Sequence, residues 1–242
     1  MKDWLNWHEA YDDPSSSLSV RLRLVRQHLS DALDLAPPGP IRLISLCAGQ
    51  GRDVLGVLPG HPRGQDVAAL LVESDHRLAA QARHRAADAG LTGVEVREAD
   101  AGRVDSFDDA LPADVLMLCG IFGNVSVADI RRTVEASSAL CAPGATVVWT
   151  RHRRAPDLTP QIREWFRASG FEEVAFEAPD TDALTGVGVN RLPISEVPDL
   201  PGEPLFAFRE AGVRGPQQAA LARAAYTPSL RASGRVARIG PW

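Results

Sequence analysis

A chain of 242 residues, 45% hydrophobic and 24% charged, has the composition of a globular protein and enough length to bury a full α/β core. Its formal net charge of -5 argues against nucleic acid as a partner, because phosphate recognition relies on a basic surface. No run reaches the roughly 18 apolar residues of a membrane span, the opening Met1-Lys2-Asp3-Trp4 lacks the apolar core of a secretion signal, and Cys47, Cys119 and Cys141 form no C-x-x-C; these observations indicate no membrane span, disulfide framework or zinc site, and predict a cytoplasmic protein with reduced thiols.

Along the chain, residues 1–40 read as an N-terminal helical cap. Leu18, Leu22, Val25 and Leu29 recur at helical spacing behind Ser15 to Ser17, and Pro37-Pro38-Gly39-Pro40 ends the segment. Residues 41–210 read as the main domain, in which short apolar runs alternate with amphipathic stretches, the pattern of strands joined by crossover helices. The predicted strands are Arg42 to Leu46, Val67 to Val72, Val94 to Arg97, Val115 to Cys119 and Thr146 to Thr150, with little polar alternation, as expected when both faces are covered. Between them Asp75 caps a helix that ends before Gly90, Ser126 with Asp129 starts another, and Thr159-Pro160 opens one closed by Gly170. Val174 to Glu177 and Gly186 to Arg191 then predict an antiparallel hairpin at one end of the sheet. Leu205 to Phe208 reads as an edge strand, and residues 211–242 as a tail. The fold class is therefore α/β, with a mostly parallel seven-stranded Rossmann-like sheet, helices on both faces, a C-terminal antiparallel hairpin and the N-terminal cap.

The first strand runs into Cys47-Ala48-Gly49-Gln50-Gly51-Arg52-Asp53-Val54, a glycine turn at a helix start. Glycines let the backbone turn tightly and approach a ligand closely, while helix-start amides face it. A dinucleotide fingerprint would want glycine where Val54 stands, and Asp53 would repel a pyrophosphate. A cationic, phosphate-free nucleoside such as S-adenosyl-L-methionine tolerates that acidity. Glu73 ends the second strand about twenty residues on, where a carboxylate can accept from both ribose hydroxyls, with Ser74 beside it. Asp100-Ala101 follows the third strand, where a carboxylate can meet an adenine amino group and a small residue leaves room for the ring.

These features resemble the class I S-adenosylmethionine-dependent methyltransferases over roughly Ile41 to Arg191. The resemblance implies that Ala48, Gly49 and Gly51 contact the methionine part of the cofactor, Glu73 the ribose, and Asp100 with Ala101 the adenine, with Cys47 and Ser74 beside them as further cofactor-binding candidates. Cys119 and Gly120, in Cys119-Gly120-Ile121-Phe122-Gly123-Asn124, would pass beside it. The chain departs from the family at Ser45 and Cys47, where an acid and a further glycine are common. Cys119-Gly120-Ile121-Phe122 also lacks the Asn-Pro-Pro-aromatic signature of enzymes that methylate base or glutamine nitrogen. Together with Trp149 to Arg154, the loop strings resemble a subgroup of bacterial methyltransferases.

Methyl transfer is an in-line displacement that rests on alignment and exclusion of water, with a base needed only where the acceptor loses a proton. The candidates for catalysis are His152 past the fifth strand and His8 with Tyr11 in the N-terminal cap. The expected partner is a small-molecule methyl acceptor, and a homodimer is compatible with this reading. The alternative is a partner or regulatory protein that binds S-adenosylmethionine without transferase activity.

Overall fold

The computed structural model describes residues 9–14, 16–179, 184–193 and 198–208. The tail read over residues 211–242 lies outside them, as does the tip of the predicted hairpin. Seven strands form one sheet: β1 (Ile41–Leu46), β2 (Val67–Glu73), β3 (Val94–Glu98), β4 (Ala113–Leu118), β5 (Cys141–His152), β6 (Glu172–Glu177) and β7 (Thr185–Arg191). Their order is β3-β2-β1-β4-β5-β7-β6. β1 to β5 are parallel, while β7 pairs antiparallel with both β5 and β6. The hairpin predicted at the sheet's end is this β6–β7 pair, with β7 inserted next to β5. β5 starts earlier than its apolar run because Cys141 pairs with Ala113, ahead of a register shift that brings Val115 opposite Thr146.

The helices are α1 (Ser17–Leu35), α2 (Val54–Val57), α3 (His76–Asp88), α4 (Val127–Leu140) and α5 (Thr159–Ala168). Their starts follow the capping residues. Asp75 accepts from the amides of Arg77 and Leu78, and Ser126 Oγ accepts from Asp129 N at 3.0 Å. Successive strand residues point to opposite faces, so the central strands β1, β2, β4 and β5 feed two cores. Ile44, Leu46, Leu116, Leu118 and Trp149 meet Ile130 and Val134 of α4 and Ile162 and Phe166 of α5. Leu43, Leu71, Met117 and Val148 meet Leu29 and Leu33 of α1 and Ala82 of α3.

The helix expected in the N-terminal cap is thus inseparable from the sheet. Leu29 and Leu33 are wholly buried against it, and only the first turns of α1 stand over the sheet's C-terminal edge. The expected edge strand at Leu205 to Phe208 does not form. Its backbone is committed elsewhere: Leu205 N donates to Gly102 O at 2.7 Å, while Leu205 O accepts from Thr133 Oγ1 at 3.1 Å. Leu205 and Phe206 instead bury their side chains in the core. Among the described residues no helix is long and apolar enough to cross a membrane.

Candidate functional site

From β1 the chain crosses to β2 on one side and later to β4 on the other, so the sheet's order reverses at β1. In open α/β sheets the crevice beyond the strand ends at such a reversal is where ligands bind. A cavity lies there. Cys47, Ala48 and Gly49 line it after β1, Glu73 and Ser74 after β2, and Cys119 and Gly120 after β4. Tyr11, Arg21 and Leu22 line it from the N-terminal side, and Phe208 from the C-terminal segment.

The turn after β1 is left-handed three times, at Cys47 (φ 56°), Gly49 (φ 57°) and Gly51 (φ 65°). A side chain at such a φ costs on the order of 1 kcal/mol, and Cys47 carries one there. Gly51 does not line the cavity. A Cβ there would come within 2.8 Å of the Leu55 and Leu71 side chains, so its lack of a side chain lets the helix start pack on β2.

Glu73 is buried, with 8% of its surface exposed, and its carboxylate stitches two loops together. Oε2 accepts from Gly49 N and Oε1 from Asp75 N, each at 2.8 Å. Burial raises its pKa against the pull of these amides. A carboxylate oxygen can accept more than one hydrogen bond, so these contacts do not exhaust its acceptor capacity. Gly120 is held by its amide, which donates to Thr150 Oγ1 at 2.9 Å, and by its carbonyl, which accepts from Asn124 Nδ2 at 2.7 Å.

Asp100 and Ala101 do not line the cavity. Asp100 is exposed and folds onto its own chain, accepting from Gly102 N at 2.9 Å, and Ala101 is buried in the core with Phe107 and Phe206. The segment carrying Leu205 crosses at Gly102, which turns this loop inward.

Among the catalytic candidates, His8 lies outside the described residues. Tyr11 reaches the cavity, where its hydroxyl accepts from Arg21 Nη2 at 2.6 Å and the Arg52 guanidinium stands 5.3 Å over its ring. Burial raises the phenol's pKa, so it is protonated at neutral pH. His152 does not line the cavity. Half-buried beside Arg151 and Arg154, it has its pKa lowered to about 4 by burial first and by those two cations next. Arg151 is buried and donates to Phe122 O, bracing the loop after β4.

The titration of His152 has a consequence for stability. Its folded pKa lies below the unfolded value of about 6.5, so the unfolded chain binds more protons between about pH 6.5 and pH 4. Stability is expected to fall as pH drops through that window, and His152→Gln to flatten the fall. Thermal melts at half-unit pH steps test this, and parallel curves for the two proteins would remove His152 as the cause.

Arg21, Asp53 and Phe208 also line the cavity, beyond the residues expected from the motifs. Asp53 stood in the glycine loop and was legible as a charge, but Arg21 is one arginine among many and Phe208 carries no local signal.

No family model matches the sequence, and no curated protein matches it. Solved structures match in architecture. Magnesium protoporphyrin IX methyltransferase from Synechocystis, with bound SAM, has a TM-score of 0.62 at 10% identity, covering 78% of this chain and 90% of its own. An O-methyltransferase family protein from Burkholderia thailandensis has a TM-score of 0.56 at 18% identity, and the match covers 74% of this chain but only 59% of that one. The cyclase SpnF has a TM-score of 0.52 at 16% identity, covering 69% of this chain and 81% of its own. At such identities the likeness is one of architecture, and with the strand order observed above it shows that this chain has the class I methyltransferase fold.

Proposed function

We propose that the protein is an S-adenosylmethionine-dependent methyltransferase of a small-molecule acceptor, working in the cytoplasm. The observation that carries this reading is the cavity at the sheet's reversal, where the left-handed turn of Cys47 to Gly51 and the buried Glu73 carboxylate meet. The fold alone would not suffice, since one scaffold hosts many activities and a cyclase shares it. The residues present fit the group. Ala48 and Gly49 line the cavity with no more than a methyl group as side chain, which lets the methionine part lie close to the backbone, and Glu73 offers acceptor capacity to the ribose hydroxyls.

When bound, S-adenosylmethionine supplies a methyl group activated by its sulfonium. The chain's own part is to orient the acceptor and keep water out. Tyr11, Leu22 and Phe208 wall the cavity with apolar surface, and Gly120 leaves space beside β4. Tyr11, protonated and held by Arg21, can donate a hydrogen bond to an acceptor oxygen but is not a base at neutral pH. His152 is neutral there and could take a proton only from an acceptor reaching past the cavity.

Calorimetric titration with S-adenosylmethionine, S-adenosylhomocysteine and NADH tests the cofactor. Saturable binding of the first two at one site, without NADH binding, is expected. Absence of both, or binding of NADH alone, would overturn the reading.

A further inference from the structure

A second cavity lies behind the glycine turn, outside the one at the sheet's reversal. Arg26 of α1, Leu55 and Gly56 of α2, and Arg85, Asp88 and Ala89 at the end of α3 line it. Arg52, just past the turn, stands between the two cavities and lines both. Three guanidinium groups therefore surround this void against one carboxylate, Asp88, which lies 3.3 Å from His84 Nε2 on its own helix.

The cations are held in place and keep donors in reserve. Arg26 donates through both Nε and Nη2 to Arg52 O, which leaves Nη1. Arg52 engages Gln50 through Nε and Asp12 through Nη1, which leaves Nη2. Among the described residues the Arg85 side chain makes no hydrogen bond or ion pair. Gly56 permits the arrangement, since a Cβ there would come within 2.3 Å of the Arg26 guanidinium, which lies across α2. Burial lowers the Arg26 pKa, Asp53 opposes that, and the charges of Arg52 and Arg85 push it down further. The carbonyls at the end of α3, which would repel an anion, accept from backbone amides: Ala86 O from Leu91 N at 3.0 Å and Arg85 O from Ala89 N at 3.1 Å. A tetrahedral oxyanion of two charges suits such a void. It can accept from three directions at once, whereas a planar carboxylate is filled by forks lying in its plane. Leu55 and Ala89 supply too little apolar surface to select a larger molecule.

We propose that Arg26, Arg52 and Arg85 form a binding site for a phosphoryl group, carried by free phosphate or by a small phosphate monoester. The site does not depend on the methyltransferase reading. An anion bound there lies against the back of the glycine turn, because Arg26 and Arg52 are joined through the Arg52 carbonyl.

The test titrates the full chain calorimetrically with inorganic phosphate, glycerol phosphate and malonate at one ionic strength, set with sodium chloride. Three variants accompany the parent. Arg85→Gln removes the unengaged charge, Gly56→Ala alters no charge but displaces the Arg26 guanidinium, and Arg154→Gln removes an exposed arginine from the loop after β5. Saturable binding of phosphate at one site is expected, with malonate weaker. Arg85→Gln and Gly56→Ala are each expected to weaken it about 10-fold, the scale of one charge-assisted hydrogen bond, and Arg154→Gln to stay within about 2-fold of the parent. Tighter binding of glycerol phosphate than of inorganic phosphate assigns the site to an ester and the reverse to the free ion, and either supports it. Absence of saturable phosphate binding by the parent overturns the proposal, as does malonate binding as tightly as phosphate. Parent-like affinity in both Arg85→Gln and Gly56→Ala overturns it as well, and so does an equal loss in Arg154→Gln, the mark of diffuse surface charge. Thermal melts check that each variant is folded.

Discussion

Glu73→Ala is expected to weaken S-adenosylhomocysteine binding by roughly 10-fold to 100-fold, the loss of about 1.5 to 3 kcal/mol for hydrogen bonds to a charged group. The proposed ribose contact is only part of the cause. The carboxylate also holds Gly49 N and Asp75 N, so its removal leaves two amides without their acceptor and frees the turn that forms the cavity floor. A loss of stability of about 1 to 3 kcal/mol should accompany the binding defect. Glu73→Gln is expected to fall between, since its amide group retains one acceptor oxygen but turns donors toward a backbone N–H. Calorimetry with thermal melts on the three proteins measures both effects. Parent-like affinity in Glu73→Ala would remove Glu73 from the site.

The largest effect on stability is expected from Trp149→Ala, about 3 to 5 kcal/mol. Trp149 is wholly buried on β5, stacked on Phe166 at 5.8 Å and Phe176 at 5.9 Å between ring centroids, and its indole N–H donates to Asn190 Oδ1 at 2.7 Å. The ring spreads over β7, where Gly188 makes room for it. A Cβ at Gly188 would sit 2.1 Å from the indole. Truncation therefore opens a cavity and leaves Asn190 Oδ1 without its donor. Trp149→Phe keeps most of the ring volume and isolates the cost of the lost bond, about 1 to 3 kcal/mol. Urea unfolding of both variants measures these losses, and a shift below 1 kcal/mol in Trp149→Ala would mean that the ring is not the anchor described. Because Thr150 follows Trp149 and holds Gly120, loosening β5 should also blur the cavity wall beside β4.

The parts of this protein legible in its sequence are those governed by local pattern. Apolar runs at strand spacing, Asp75 and Ser126 as caps, and the glycine turn after the first strand all report conformations that neighbouring residues impose. The strand ends that carry Cys47, Glu73 and Cys119 followed from those patterns, since the cavity of a parallel sheet forms at its C-terminal edge. The N-terminal helix was equally legible, yet its partners were not. The spacing of Leu29 and Leu33 defines an apolar stripe without saying whether it caps a ligand or covers a sheet, and here it covers β5 and β7.

Side-chain direction in loops was decided by contacts from distant segments. Asp100 had the right place after β3 but turned onto Gly102, where the chain carrying Leu205 crosses it. That same segment brings Phe208 to the cavity with no local signal to announce it. Arg21 and Asp53 lie on separate elements, and only the packing of α1 against the sheet makes them face one void. Short-range sterics and periodicity thus determined the order of elements and the edge where a ligand can bind, while long-range packing decided which charges surround it.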